Sequence, residues 1–283
     1  MVDSIVAATD GSPAAAAAVR WAADDAGRRE LPLRIVHVVE HWPYGISAFP
    51  PPGWQDATAQ AGEQVLAEAV KTATGRRPGI DVTTGLAGGT PAEILRDLAG
   101  TATELVIGGR GLGGFAGAVL GSVTLRVAGH VPGAVVVVRP GGGETRDEVV
   151  VGVDDSPECG PAVGFAFEQA RLRGGGLRAL RAWQVPLHAF MPETVHDIAG
   201  IRQEQQRLVA DALAPWRERF PEVEVVQEVT CSHPVPALVD VSAQAGLLVV
   251  GSHGRGALGA MVMGSVSRGV LHRAHCPVAV VRA

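Results

Sequence analysis

Residues 104–122 read Glu-Leu-Val-Ile-Gly-Gly-Arg-Gly, nine further residues and Gly-Ser, and this stretch decides the fold. It returns at 247–265 as Leu-Leu-Val-Val-Gly-Ser-His-Gly, nine residues and Gly-Ser. One match would mean little in a chain with 37 glycines among 283 residues, but two copies at a constant offset of 143 positions (108 to 251) are not chance. Each copy follows an apolar run and precedes a helix-compatible stretch. This order points backbone N–H groups and a helix dipole at the loop, and a phosphate chain is the natural occupant.

The duplication extends over nearly the whole chain. Residues 5–13 align with 149–157 at an offset of 144, and the closing apolar strand at 135–139 aligns with 278–282 at an offset of 143. Each copy has the size of a self-sufficient globular fold. We therefore predict one domain at 1–140, a second at 148–283, and a linker at 141–147 that lacks an apolar anchor.

Strands and helices are predicted to alternate within each half. In the first half the apolar periodicity predicts strands at about 3–9, 33–39, 80–86, 104–108 and 134–139, and helices at about 13–28, 56–74, 91–101 and 121–130. Strands such as 33–39 are apolar on both faces, as parallel strands covered by helices must be. The predicted fold class is α/β, with two tandem doubly wound domains that each contain a five-stranded parallel sheet.

Composition excludes several classes of function. A formal net charge of -5, with the 24 basic residues scattered, argues against nucleic-acid binding. No apolar run approaches the roughly 20 residues that cross a bilayer, and the start lacks the basic residues of a secretion signal, so a cytoplasmic protein without membrane contact is expected. Cys159, Cys231 and Cys276 are too far apart for a zinc site or a disulfide framework, and we expect buried or half-buried thiols.

Ligands of an open α/β sheet bind outside the carboxyl ends of the strands, where the strand order reverses. Asp10 and Asp154 end the first predicted strand of each half there. Helix capping is the alternative role, but Ser12-Pro13 and Ser156-Pro157 already supply the preferred cap and first-turn residues. We therefore expect both aspartates to be free to meet a hydroxyl-bearing ligand.

Glycine and serine residues complete the predicted site. Tight turns with positive φ would explain the paired glycines but not their constant spacing to a later Gly-Ser, whereas close approach of the backbone to phosphate explains both. The serine of that Gly-Ser either caps the last helix or binds a phosphate oxygen, and capping would not select the preceding glycine. The phosphate-binding candidates are Gly108, Gly111, Gly121, Ser122 and Val123, with Gly251, Gly254, Gly264, Ser265 and Val266.

Other polar residues near these motifs are given less specific roles. Arg110, His253 and Arg255 could add positive charge to the loops, but we expect solvated loop residues. His37 ends an apolar strand and becomes Arg181 in the second half, which favours a core or edge role over one in binding. The proline-rich stretch at 42–54 follows the second strand on the ligand side, where a lid, a partner-binding loop and disorder are all open.

With these motifs the chain resembles the ATP-binding class of tandem universal stress proteins. The resemblance rests on G-x-x-G-(nine residues)-G-S in both halves, the Asp-x-Ser turn after strand one, and the strand and helix alternation. It implies an adenine nucleotide alpha hydrolase-like (universal stress protein) fold, one ATP per domain, and control of growth or survival under stress with little or no hydrolysis. It also implies that Asp10 and Asp154 contact ribose or adenine, and that the backbones of Val38 and Ala182 meet the adenine.

Three functions are weighed: a regulatory ATP-binding protein, a slow ATPase or nucleotide-transferring enzyme, and a scaffold that binds no nucleotide. The chain has no G-x-x-x-x-G-K-[ST] loop, and the basic residues near the glycines differ between copies, so efficient hydrolysis is not expected. The intact spacing in both halves speaks against the scaffold. The sequence leaves open whether Mg²⁺ accompanies the ATP and which regulatory protein is the partner. The terminal apolar strands are predicted at sheet edges, where the halves pair or two chains form a symmetric homodimer.

Overall fold

The computed structural model describes residues 3–40, 52–111, 120–141, 146–156, 159–184, 198–254 and 263–283. Most of the proline-rich stretch at 42–54 therefore lies outside the described residues, as do Pro157, Arg255 and most of each nine-residue spacing. The chain divides into two compact units, Met1–Gly141 and Gly142–Ala283.

The first unit alternates strands and helices in the predicted order. Its elements are β1 (Ile5–Ala8), α1 (Pro13–Arg29), β2 (Leu33–Val39), α2 (Trp54–Arg76), β3 (Val82–Gly88), α3 (Pro91–Ala99), β4 (Glu104–Gly108), α4 (Ser122–Ala128) and β5 (Gly133–Val138). The prediction of β3 was displaced by two residues, because this strand follows β2 to its end: Val39 pairs with Gly88, and the next N–H, of Gly89, still donates to the Val39 carbonyl.

The second unit repeats the same order. Its elements are β6 (Val149–Gly152), α5 (Cys159–Arg173), β7 (Leu177–Trp183), α6 (Ile198–Arg219), β8 (Val225–Cys231), α7 (Pro234–Ser242), β9 (Leu247–Gly251), α8 (Ser265–Arg273) and β10 (Val278–Arg282). Among the helices in the described ranges, none has both the length and the apolarity that crossing a bilayer requires.

Each unit contains its own run of five parallel strands. The order is β3-β2-β1-β4-β5 in the first unit and β8-β7-β6-β9-β10 in the second, and the registers described within each unit are parallel. The predicted fold class is therefore confirmed. Connections run outward in one direction from β1 and in the other from β4, so a crevice opens between the carboxyl ends of these two strands, and likewise between β6 and β9.

Local chemistry explains why these elements form where they do. Ser12 caps α1 by accepting from the Ala15 N–H, Pro13 occupies the first turn, and the helix stops at Glu30 in the left-handed conformation with φ 56°. The central strands are buried on both faces: Leu105, Val106 and Ile107 of β4 are at most 3% exposed. Each core is thus built from apolar strands covered by helices on both faces.

Candidate functional site

The turn after the first strand holds the aspartate by its own backbone. Oδ1 of Asp10 accepts from the N–H of Ser12 at 3.0 Å, and Oδ1 of Asp154 accepts from the N–H of Ser156 at the same distance. The Ser156 hydroxyl also donates to Asp154 Oδ1 at 2.6 Å. The expectation of a free carboxylate was therefore wrong for this oxygen, because an aspartate at a strand end readily bonds the N–H two residues later.

The second carboxylate oxygen faces the glycine loop that follows β4. A Cβ built on Gly111 would stand 2.5 Å from Oδ2 of Asp10, and one built on Gly254 would stand 2.8 Å from Oδ2 of Asp154. Neither glycine has a positive φ, so the tight-turn explanation does not apply to this pair. The structure therefore brings the predicted aspartate and the second glycine of the motif into contact in both units.

The first glycine of the motif has a packing role that sequence reasoning missed. A Cβ on Gly108 would lie 2.8 Å from the carbonyl carbon of Ala14 and 2.8 Å from the nitrogen of Ala15. Glycine at this position lets the end of β4 approach the first turn of α1. Close backbone approach was predicted, but the partner in the structure is a helix of the same unit.

The Gly-Ser pair closes the loop onto itself. The N–H of Gly121 donates to the carbonyl of Gly109, and the N–H of Gly264 donates to the carbonyl of Ser252, both at 2.9 Å. Each glycine is also the N-cap of its helix, and the serine that follows is the first helical residue. The capping alternative for Ser122 and Ser265 was therefore wrong, and both side chains are exposed at the helix start.

Hydroxyl groups that sequence reasoning missed tie the last helix to the end of β4 or β9. Thr124 Oγ1 donates to the carbonyl of Gly108 at 3.0 Å, and Ser267 Oγ donates to that of Gly251 at 2.7 Å. The Asp-x-Ser turn is joined to the same loop, because Ser12 Oγ donates to the carbonyl of Arg110 at 3.3 Å. Ser156 repeats this bond to His253 at 3.5 Å. The sequence signal that could have identified Thr124 and Ser267 is a hydroxyl residue three positions after the glycine of each Gly-Ser pair.

The backbone of the second strand continues past the end of the first. Ala8 pairs with Val36 at the last position of the β1–β2 register, so Val38 lies two residues beyond it. The carbonyl of Val36 accepts from the N–H of Thr9 on the β1 side, and the carbonyl of Val39 accepts from the N–H of Gly89 on the β3 side. Successive residues of a parallel strand form hydrogen bonds to opposite neighbours, so the N–H and C=O of Val38 face the β1 side. Ala182 has the same relation to β6, whose last partner is Leu180.

Basic residues of the loops differ between the units. Arg110 is exposed, as expected. The pKa of Arg139 is lowered mainly by the burial of Arg139 itself and additionally by the positive charge of Arg110. His253 is not a solvated loop residue: its Nδ1 lies 2.9 Å from Oγ of the buried Ser252. Its Nε2 is buried without a hydrogen-bond partner in the described part of the chain. The loop of the second unit is thus packed through a side-chain pair that Gly109 and Arg110 cannot form.

The three cysteines differ in burial, and the Cys159 thiol lies beside Asp154. Burial raises the pKa of the Cys159 thiol to about 11 and that of the Cys276 thiol to about 12, so both are neutral near pH 7. Cys231 is exposed, which corrects the expectation of three buried or half-buried thiols, because it ends β8 at the edge of its sheet. Within the described ranges, no group of three or more His, Cys, Asp or Glu residues is arranged to hold a metal ion.

Comparisons with known proteins show what this chain is similar to. The model of the family described as "Universal stress protein family" matches residues 1–139 and 145–282. A universal stress protein of Mycobacterium tuberculosis is 36% identical over 289 residues, covering 98% of this chain and 96% of the relative. One of Mycolicibacterium smegmatis is 34% identical with the same coverage. The crystal structure of a universal stress protein from Archaeoglobus fulgidus matches 99% of this chain and 96% of its own, with a TM-score of 0.74 and 19% identity, which bears on the fold alone.

Proposed function

The chain belongs to the universal stress protein family, and on that premise we propose that each half binds one ATP and thereby controls growth or survival under stress. Hydrolysis is slow or absent in this proposal. The adenine and ribose lie against the end of the second strand and the aspartate turn. The phosphates lie against the glycine loop and the first turn of the last helix.

One observation carries the proposal: the aspartate and the glycine loop meet in both units. The Asp10–Gly111 and Asp154–Gly254 contacts join segments that are about a hundred residues apart in sequence, at the crevice where the strand order reverses. A carboxylate beside the main-chain groups of a glycine turn suits a ligand with a hydroxyl-bearing ring at one end and an anionic tail at the other. A nucleotide has both.

The start of the last helix supports the placement of the phosphates. Gly121 and Gly264 offer no capping side chain, and the first turn of an α-helix has N–H groups without intrahelical partners. The N–H groups of Val123 and Val266 belong to that turn, and the exposed hydroxyls of Ser122 and Ser265 lie beside it. An anion at this place would receive both kinds of donor.

The alternative is a slow ATPase or a nucleotide-transferring enzyme on the same fold. Efficient phosphoryl transfer uses a cation placed against the developing charge. Arg110 is exposed in the first loop, whereas the equivalent His253 lies against Ser252 in the second, so this loop position does not supply the same cation in both units. Counting the ADP formed per site per hour separates the two functions: about one turnover per hour or fewer supports the regulatory role.

The direct test is to denature the purified full chain and identify the released small molecules by chromatography. We expect ATP at about two per chain, and protein that releases no nucleotide even after incubation with excess ATP would refute the proposal. Asp10→Asn with Asp154→Asn should weaken binding by about tenfold or more while the fold persists, because asparagine keeps an oxygen for the serine N–H but removes the charge. Asp97→Asn with Asp240→Asn, which removes the same two charges from exposed residues of α3 and α7, is the matched control.

The regulatory part of the proposal needs partners. We propose both a regulatory protein partner and association of two chains into a homodimer. Pull-down from a cell extract with and without added ATP tests the first, since a regulatory partner should change in amount with the nucleotide. Light scattering tests the second, and a mass of one chain at all concentrations would remove it.

A further inference from the structure

His37 and Arg181 occupy equivalent places on β2 and β7, and each forms a hydrogen bond to the equivalent main-chain carbonyl of its own unit. Nδ1 of His37 lies 2.7 Å from the carbonyl oxygen of Thr9. Because that oxygen can only accept, Nδ1 carries the proton and donates. In the second unit, Nη1 of Arg181 donates to the carbonyl of Val153 at 3.5 Å. Thr9 and Val153 are the residues immediately before Asp10 and Asp154.

The surroundings of the two side chains differ in a compensating way. In the first unit Gly62 of α2 makes room for Leu86 and for the imidazole, since a Cβ there would stand 2.5 Å from Leu86 Cδ1 and 3.0 Å from His37 Cδ2. In the second unit α6 presents Gln205, whose Oε1 accepts from Arg181 Nε at 2.6 Å. Arg181 is 2% exposed, and its Nη2 lies 3.8 Å from Oδ1 of Asp155.

Asp155 stands where the first unit has Gly11, which has a φ of 81°. The longer cation thus comes with an amide acceptor and a carboxylate, whereas the imidazole comes with two glycines. The exchange of residue types has therefore kept the donor to the strand-one carbonyl in both units.

We propose that His37 and Arg181 are matched positioning residues, which hold the carbonyl at the end of strand one and so set the direction in which the following aspartate leaves the sheet. The inference rests on the proposed nucleotide function. The backbone N–H of Thr9 continues the strand ladder to Val36, so the chain is held on its N–H side by backbone and on its carbonyl side by His37. Asp10 is then fixed by the Ser12 N–H on one oxygen and by Gly111 beside the other.

The test compares two substitutions of His37 in the full chain carrying Asp154→Asn, which weakens the second site. His37→Asn places a side-chain N–H close to the position of Nδ1, whereas His37→Leu keeps the volume and removes the donor. We expect ATP affinity at the first site to fall about tenfold or more in His37→Leu and to stay within about threefold in His37→Asn. Equal affinity in the two variants would overturn the proposal. A loss in both with unchanged thermal stability would equally overturn it, because the donor would then be irrelevant.

A second measurement decides the positioning role without any nucleotide. The Ser12 amide is protected by Asp10 Oδ1, so its hydrogen exchange reports whether the aspartate keeps its place. Exchange of this amide should be about tenfold faster in His37→Leu and unchanged in His37→Asn, while amides in β4 keep their protection in both. If Ser12 exchanges at one rate in both variants, His37 does not position Asp10. Failure of the unsubstituted chain to bind ATP would instead count against the proposed function, and the exchange rates would still decide this inference.

Discussion

Replacing Gly111 by alanine should strip nucleotide from the first site without unfolding the unit. The added Cβ would stand 2.5 Å from Asp10 Oδ2, about 0.9 Å short of the 3.4 Å at which ordinary contact begins. The carboxylate has to turn away from Gly111, and this rotation also moves Oδ1, which accepts from the Ser12 N–H. The turned carboxylate would also lose its proposed hydrogen bond to the ligand hydroxyl, and since such a bond to a charged group contributes about 1.5–3 kcal/mol, we expect the Kd for ATP to rise about 10- to 150-fold.

Substitution of two other glycines of the same motif separates the possible causes of such a loss, because each faces a different neighbour. At Gly121 the nearest atom to an added Cβ is Thr124 Oγ1 at 3.6 Å, so Gly121→Ala leaves the protein itself undisturbed. A loss of ATP in that variant would report the ligand's own need for space. Gly108→Ala would push on the backbone of α1 at 2.8 Å and should lower the free energy of unfolding by about 1–3 kcal/mol.

Isothermal titration with ATP and urea denaturation on the same preparations separate these outcomes. The titrations use the full chain carrying Asp154→Asn, so that the first site dominates the signal. In the reverse background, Gly254→Ala should have a smaller effect than Gly111→Ala, because its Cβ stands 2.8 Å from Asp154 Oδ2 rather than 2.5 Å. Wild-type affinity in Gly111→Ala, at unchanged stability, would refute the assignment of Asp10 and Gly111 to one site.

Further consequences concern the loop anchors and the thiols. Thr124→Val or Ser267→Ala removes a hydroxyl from the carbonyl at the end of β4 or β9 and should lower the free energy of unfolding by about 1–3 kcal/mol, measured by urea denaturation; an unchanged midpoint would contradict the anchor role. A thiol reagent near pH 7 should modify Cys231 alone in the folded chain and three cysteines after denaturation. Because burial raises the pKa of Cys276 from 9.0 to about 12, the folded state favours the protonated thiol, and its contribution to stability should be lost as pH rises from about 9 towards 12. Cys276→Ala should reduce that alkaline loss in thermal melts at pH 8 and pH 10, and an identical loss in both proteins would contradict it.

The fold could be predicted because its determinants are local and repeated. Strands apolar on both faces, a serine and proline at the start of α1, and the two copies of the glycine motif each give the same answer on their own. The wrong predictions concern features that depend on a neighbouring strand in the sheet. The end of β3 depends on how far β2 extends, and the exposure of Cys231 depends on the strand order, neither of which the local pattern contains.

The sequence predicted which residues surround the candidate site better than it predicted the contacts that require those residues. Gly108 was assigned to phosphate, but the contact that requires glycine there is with the first turn of α1. Helix capping was the alternative role for Ser122, but the N-cap of α4 is the glycine before it, Gly121. A motif with fixed spacing shows that its residues are constrained together, but a sequence cannot distinguish a constraint set by a ligand from one set by another segment of the same unit.

His37 and Arg181 show a different limit, because a change of residue type between the two halves does not by itself mean a change of role. The change from histidine to arginine favours a core or edge role over one in ligand binding, and in the structure both side chains donate to the carbonyl before the aspartate. The glycine loop is built from main-chain groups and close approaches, so few other residues could preserve it, and its spacing is the same in both halves. The carbonyl before the aspartate accepts from a side chain, and any side chain that brings a donor to it can replace another if its neighbours adjust. Divergence between the halves is therefore expected beside the aspartate before it is expected in the glycine spacing, and a residue that differs between repeats should be judged by the group it donates and the atom it reaches.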